Sequence, residues 1–339
     1  MKIKETSEFS LIHSLTKKIR AAGSGSVLVG IGDDAAAFRM GNGKNLLITC
    51  DMLVEGRHFL RDKITPRQLG CKALAVSLSD IAAMGGVPRF AVVSAGWTPE
   101  LEVEYAQEVY RGMGELADEF QVSIIGGDTV SAPQVILDVA VIGEMDGAPV
   151  TRAGAKPGDA IAVTGSLGAS AAGLALLREE EAAANLSEKA RQALLRAHLE
   201  PYPRVKEAGM LLKYGPPSAM IDISDGLAGD LYHICESSGV GALLEVSRLP
   251  VSESVKQAAA TLGSSFLDWV LYGGEDYELL MTIPPGCVAG VKKAVEMLGT
   301  NLSVIGKVLH KREGIKILSK KGAAFELEPR GFDHFAAFK

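Results

Sequence analysis

The sequence predicts a two-domain chain of the α/β class (α+β in its mixture of elements), and three observations lead there. At 339 residues it is longer than a typical single hydrophobic core supports. Strand-length apolar runs alternate with segments of helical period from end to end. Midway, the stretch "DGAPVTRAGAKPGD" is rich in Gly and Pro and breaks the alternation near residue 150. The expected division is therefore 1–150 and 151–339.

The elements follow in order. The opening stretch "MKIKETSEFSLIHSLTKKIR" places Phe9, Ile12, Leu15 and Ile19 at helical spacing. It has no continuous apolar core and no small-residue cleavage site, so it reads as a surface helix rather than a signal peptide. "NLLITCDMLVEG" is a strand running into a loop. "TPRQLGCKALAVSLSDIAAMGG" opens on a Thr-Pro helix start and closes on glycines. "FAVVSAGW" is a strand, "PELEVEYAQEVYRGMGELADEF" a long amphipathic helix, and "VSIIGGDTV" and "VILDVAVIGEM" are strands. Beyond the boundary, "DAIAVTGSLGASAAGLALL" enters a helix from a strand through a small-residue turn. "SAMIDISDGLAGDLYHICESSG" is strand, turn and helix, and "WVLYGGEDYELLMTIP" is a turn followed by a strand.

Composition narrows the function classes. Hydrophobic residues make up 47% and charged residues 22%, which is globular. The longest apolar stretches are broken by Gly or Asp at strand length, so no membrane span is expected. A formal net charge of −6 and the lack of a dense basic run count against a nucleic-acid partner. Cys50, Cys71, Cys235 and Cys287 are scattered without a C-x-x-C pair, which argues against structural zinc and a disulfide framework. A cytoplasmic protein is expected.

The chemistry sits in the acids. Asp33 and Asp34 in "IGDD", Asp51 in "ITCDML", Asp128 in "IIGGDT", and Asp222 and Asp225 in "IDISDG" all read as following strands, most beside Gly or Ser. Ligands of α/β sheets collect beyond strand ends. Any one of these acids has a plainer reading as a turn or a helix cap, Asp225 above all. Asp80 is the sharpest case. Val76, Ser77, Ala83 and Met84 lie three and four residues from it on a helix, so it does not face solvent. A carboxylate there is either coordinating or ion-paired, with Lys72 and Arg89 as possible partners. With Glu275 added, the acids would repel one another severely if they converge without metal. Mg²⁺ suits them best, because it takes oxygen ligands and bridges carboxylates to phosphates.

The phosphate side is less marked. The P-loop and protein-kinase motifs are absent. The turns "GGDT" and "TGSLGAS" offer backbone N–H groups to anionic oxygens, and Arg152 is either a phosphate fork or a surface arginine.

Taken together, the motifs resemble the thiamine-monophosphate kinase family, within the superfamily of aminoimidazole ribonucleotide synthetase and selenophosphate synthetase. The matching stretches are "GIGDDAA", "TCDMLVEGRHF", "KALAVSLSDIAAMGG", "IIGGDT", "TRAGAKPGD", "TGSLGASAAGL", "IDISDGL", "GGEDYEL" and the terminal "GFDHF", in the family's order over nearly the whole chain. The resemblance implies ATP-dependent transfer of a γ-phosphate to thiamine monophosphate. It implies a homodimer whose N-terminal domains contribute strands to a shared β-barrel, beside a C-terminal α/β domain. It implies that Asp34, Thr49, Asp51, Asp80, Asp128, Asp222 and Asp225 hold several Mg²⁺ ions. Cys50 stands where Thr is frequent and would serve through its carbonyl. Asp51, Asp80 and Asp128 would be catalytic; Tyr110, Gly127, Asp128, Arg152 and Ser224 would contact ATP; His58, Glu275 and Phe332 would contact the thiamine phosphate. Phe332 stands where Tyr or Trp is common and can still stack on a ring.

The runners-up are aminoimidazole ribonucleotide synthetase-like chemistry and a non-catalytic Mg-nucleotide-binding protein. A selenophosphate synthetase would need a reactive N-terminal cysteine that "AAGSGSVLVG" lacks. The hydrogenase-maturation member would end in cysteine, and this chain ends "HFAAFK".

Overall fold

The computed structural model describes residues 7–16, 25–41, 43–179, 181 and 184–332. Its first half carries helix α1 (Glu8–Thr16), strands β1 (Val27–Val29), β2 (Ala36–Arg39) and β3 (Asn45–Val54), helix α2 (Pro66–Ala83), β4 (Val87–Trp97), α3 (Val103–Phe120), β5 (Ser123–Ser131) and β6 (Ile136–Met145). The second carries β7 (Ala160–Thr164), α4 (Ala169–Arg178), α5 (Glu188–Leu199), α6 (Val205–Tyr214), β8 (Ala219–Asp222), α7 (Leu227–Ser238), β9 (Val240–Glu245), α8 (Glu253–Leu262), α9 (Phe266–Tyr272), β10 (Leu279–Ile283), α10 (Val288–Glu296), β11 (Leu302–His310), β12 (Ile315–Leu318) and β13 (Ala324–Glu326). No described helix is long and apolar enough to cross a membrane.

The strands form two sheets, one of six strands in the order β1-β2-β3-β6-β4-β5 and one of seven in the order β13-β12-β9-β11-β7-β10-β8. Each is antiparallel except for one parallel pair, β4–β5 in the first and β9–β12 in the second. Mixed, mainly antiparallel sheets make this an α+β arrangement. The first sheet ends in β1 and β5 and does not close into a barrel among the described residues.

Alternation along β3 and β4 places Leu47, Leu53, Ala91 and Val93 in the core and leaves Ile48, Met52, Phe90 and Val92 exposed on the opposite face. Asp51 lies within β3 and Asp128 within β5, not beyond strand ends as the sequence suggested. Each is a polar residue in the middle of an apolar strand, where a run of hydrophobicity looks finished. The pattern also hid α9, a short helix that precedes the "GGEDYE" loop. Of the N-terminal helix, Ile12 and Leu15 are exposed, and Ile19 lies outside the described residues.

Helix α2 is the centre of the molecule. Thr65 caps it in a reciprocal capping box with Gln68, Pro66 opens it, and the chain leaves it at Gly85 in the left-handed region. It is apolar nearly all round, as a helix buried on every side must be. Gly70 meets Val109 of α3, and Gly112 of α3 meets Arg67. A Cβ on either would come within 1.9 Å of a carbonyl oxygen, so only glycine permits this close crossing. On its other sides α2 packs on β3 and β6 of the first sheet and on α6 and β8 of the second half. Tyr277, from the loop before β10, is buried in the hydrophobic cluster of the first half.

Candidate active site

Four carboxylates from four separate segments converge beside α2. Asp34 comes from the turn after β1, Asp51 from the buried face of β3, Asp80 from the last turn of α2 and Asp222 from the end of β8. Oxygens of Asp34, Asp80 and Asp222 lie within 4.8 Å of one another. Thr49, one turn of the pleat before Asp51, donates to Asp80 Oδ2 at 2.5 Å. Ser79 donates to Asp222 Oδ2 at 2.6 Å, and Ser77 to the Val139 carbonyl at 2.8 Å.

Their electrostatics are those of an uncompensated cluster. Burial pushes Asp34 up to about 7, against the opposing pull of Arg152 and with help from Asp222. Burial pushes Asp222 up to about 6, opposed by the Ser79 hydroxyl and reinforced by Asp51. Asp80 is raised well above the ordinary carboxylate range by burial and by Asp51, Asp222 and Asp34; burial also raises Asp51. Neither proposed ion-pair partner reaches Asp80. Lys72 pairs with Glu275 at 3.1 Å and Arg89 with Glu144 at 3.6 Å.

The cation at this site is Arg152. Its guanidinium donates to Asp34 Oδ1 at 2.5 Å, and its amide faces Asp33 at 3.2 Å. It is neither a surface arginine nor a free fork, being 15% exposed and engaged by aspartate. Buried Oδ2 atoms of Asp34 and Asp51 nonetheless lack any hydrogen-bond partner. Clustered hard oxygens with lone pairs unfilled fit a divalent cation such as Mg²⁺.

The remaining candidates divide. Ser224 and Asp225 occupy the turn between Asp222 and α7. Asp225 does not cap that helix; the N-cap is Gly226, and Asp230 accepts from the amides of Gly226 and Asp225 at 3.1 and 3.3 Å. The Phe332 amide donates to the Asp225 carbonyl at 2.9 Å, which brings the terminal segment onto this turn. Of "GFDHF", residues 333–335 lie outside the described residues. The Glu275 amide donates to the Ser224 carbonyl at 2.7 Å, so Glu275 also borders the turn. His58 is held at the end of β3, where its Nδ1 accepts from the Val54 amide at 2.9 Å.

Four candidates, Asp128, Cys50, Tyr110 and Gly127, are not brought to the cluster. Asp128 pairs with Ser94 and, through it, with Asp138 on the exposed face, whereas Asp51 pairs with Val139 on the core face. Its carboxylate accepts from the Thr129 amide. Cys50 is turned to that same exposed face, its thiol 3.2 Å from Asp138 and raised to about 11 by burial and that carboxylate. Tyr110 is exposed on α3. Gly127 (φ 153°) sits where a Cβ would come within 1.8 Å of the Val93 carbonyl, which forbids any side chain.

Asp276, Glu278, its partner Arg204 and His198 are not singled out by the sequence. Asp276 accepts from the amides of Gly168 (2.7 Å) and Ser170 (3.2 Å), so the "TGSLGAS" amides hold the protein's own carboxylate. Glu278 takes both arms of Arg204 at 2.6 Å each. His198 is buried with Nδ1 3.2 Å from Glu275, and burial, followed by Lys72, pushes it down to about 4. The acid run E-D-Y-E was a signal, but its partners lie 74 to 203 residues away.

Fold and site together define a two-domain protein with a buried carboxylate cluster where its halves meet. Residues 32–145 match the family model for the AIR synthase related protein, N-terminal domain, and residues 156–318 that for its C-terminal domain. Thiamine-monophosphate kinase of Bacillus subtilis (strain 168) is 39% identical over 97% of this chain and 99% of its own. That of Escherichia coli (strain K12) is 37% identical over 97% and 98%. The solved structure of AaThiL complexed with AMPPCP and TMP superposes with a TM-score of 0.85 at 34% identity, covering 98% of this chain and 99% of that one. The chain belongs to the thiamine-monophosphate kinase family.

Proposed function

We propose that this chain transfers the γ-phosphate of ATP directly and in line to thiamine monophosphate, giving thiamine diphosphate. The observation that carries the reading is the Asp34–Asp51–Asp80–Asp222 cluster with its unfilled buried oxygens. The membership just described, and a relative complexed with AMPPCP and TMP, supply the two substrates.

The acceptor is a phosphate monoester, already largely anionic near neutral pH, so no general base is required of the protein. The barrier lies in bringing two polyanions together and in the charge on the transferring group. Several Mg²⁺ ions held by Asp34, Thr49, Asp51, Asp80, Asp222 and Asp225, with the Cys50 carbonyl and Asp128 as further ligands, would supply that neutralisation. Asp51, Asp80 and Asp128 are the proposed catalytic acids. Arg152 fixes Asp34 and, with Tyr110, Gly127, Asp128 and Ser224, is assigned to ATP. His58, Glu275 and Phe332 are assigned to thiamine monophosphate: a cationic thiazolium favours a carboxylate and an aromatic face.

We further propose a cytoplasmic homodimer with domains 1–150 and 151–339. The exposed apolar face of Ile48, Met52, Phe90 and Val92 supports a second copy packing there to complete a β-barrel. Asp128 and Cys50 share that face. The decisive assay is incubation with Mg-ATP and thiamine monophosphate, read as thiamine diphosphate formed. With ATP chiral at the γ-phosphorus, inversion supports direct transfer, and net retention would mean a phospho-enzyme.

A further inference from the structure

Lys72 is the largest fully buried side chain of the molecule's central helix, and it is a lysine. A buried ammonium without partners costs several kcal/mol. Here Nζ donates to Glu275 Oε2 at 3.1 Å and to the His198 carbonyl at 3.2 Å. Both partners belong to the second half of the chain, while Lys72 stands two turns before Asp80 on α2. Its ammonium is sealed from solvent, so it cannot touch a substrate. Glu275 is 24% exposed and can.

The loop around Glu275 is built to hold it still. Glu275 adopts φ 64°, a left-handed conformation that disfavours a residue with a Cβ. Its amide is tied to the Ser224 carbonyl, and Asp276, Tyr277 and Glu278 after it are anchored to α4, the first core and Arg204 respectively. On its far side, His198 Nδ1 lies 3.2 Å from the carboxylate and 3.0 Å from Ser170 Oγ. Burial keeps that imidazole neutral at pH 7, so Lys72 is the group that matches the charge of Glu275.

We infer that Lys72 is a positioning residue for acceptor recognition: from the N-terminal half it fixes the rotamer of Glu275, the acid that faces the thiamine moiety. This rests on the proposed kinase reaction and on the assignment of Glu275 to thiamine monophosphate. The two halves of the chain then meet in the acceptor site through one ion pair, separate from the carboxylate cluster.

The test compares wild type, Lys72→Met, Glu275→Gln and the double variant, measuring KM for each substrate, kcat, the dissociation constant for thiamine monophosphate without ATP, and Tm. Lys72→Met should raise KM and the dissociation constant for thiamine monophosphate about tenfold and leave KM for ATP within about twofold. Because Lys72 acts through Glu275, the double variant should match Glu275→Gln alone. Should Lys72→Met fail to fold, the double variant, which leaves no buried charge unpaired, carries the comparison with Glu275→Gln, and a further rise in KM for thiamine monophosphate overturns the inference. So does an unchanged KM for thiamine monophosphate in Lys72→Met, an equal rise for both substrates, or single effects that multiply. Wild-type protein that forms no thiamine diphosphate overturns the kinase reading, and this inference with it; wild-type turnover with unmoved constants in the variants overturns this inference alone.

Discussion

Ser79 donates to Asp222 across 2.6 Å, joining residues 143 apart in sequence. This bond ties the central helix of the first half to the last residue of a strand in the second, one position before Asp80. The acid cluster is thus assembled at the junction of the two halves, and its properties should report on both.

Removing one acid should relieve the cluster while disabling it. Asp80→Asn is expected to lower turnover by orders of magnitude, yet to leave the metal-free Tm equal to or above that of wild type. Asp80 lies among Asp34, Asp51 and Asp222 and forms no ion pair among the described residues, so the neutral amide loses repulsion and keeps a bond to Thr49. The rise in Tm that Mg²⁺ gives wild type should shrink in the variant. A large fall in metal-free Tm would mark Asp80 as structural.

Metal-free stability should fall as pH rises. The folded values of Asp222 and Asp34, about 6 and about 7, stand above their ordinary 3.8, so the folded state binds more protons than the unfolded one in this window. Their contribution is complete below pH ~4 and is lost as pH rises through about 6 for Asp222 and about 7 for Asp34. Urea titrations in EDTA at intervals from pH 4.5 to 8 test this, and Mg²⁺ should flatten the slope. A stability that climbs over the same range contradicts the scheme.

Arg152→Met should cost more at high pH than at low. Without the guanidinium Asp34 rises further still, so at pH 8 the variant must take up a proton that wild type has mostly released, at about 1–2 kcal/mol. At pH 5 Asp34 is protonated, and much of that penalty is gone. Equal losses at both pH values would show that Arg152 contributes through packing instead.

Phe332→Ala should raise KM for thiamine monophosphate well above wild type and leave KM for ATP nearly unchanged. The motive is the bond from the Phe332 amide to Asp225, which seats a part-exposed ring at the edge of the carboxylate turn. A matched change for both substrates would return the terminal segment to a packing role.

Local rules made much of this molecule legible. Thr65-Pro66 started α2 where it starts, and the polar interruptions at Asp34, Asp51, Asp80 and Asp222 marked residues that do meet. Asp128 takes the face opposite Asp51, and that parity is invisible in "IIGGDT". A glycine whose φ is 153° and a bulge at Ala91–Val92 decide which face its neighbour takes. Lys72 pairs with Glu275 and not with Asp80. Helical spacing puts it near Asp80 in sequence, but the choice of Glu275 is made by a loop 203 residues on. The "TGSLGAS" amides found an anion inside the protein for the same reason, since Asp276 is 108 residues from Gly168.

Tyr277 carries the last consequence. A ring from the second half fills the interior of the first, while α2 of the first half lies against β8 and α6 of the second. The halves are interlocked like mortise and tenon, so an exchange of halves between relatives cannot be cut cleanly at the Gly/Pro stretch near residue 150. A working hybrid must carry its "GGEDYE" loop and its α2 from the same parent, which makes these two distant segments a single heritable unit.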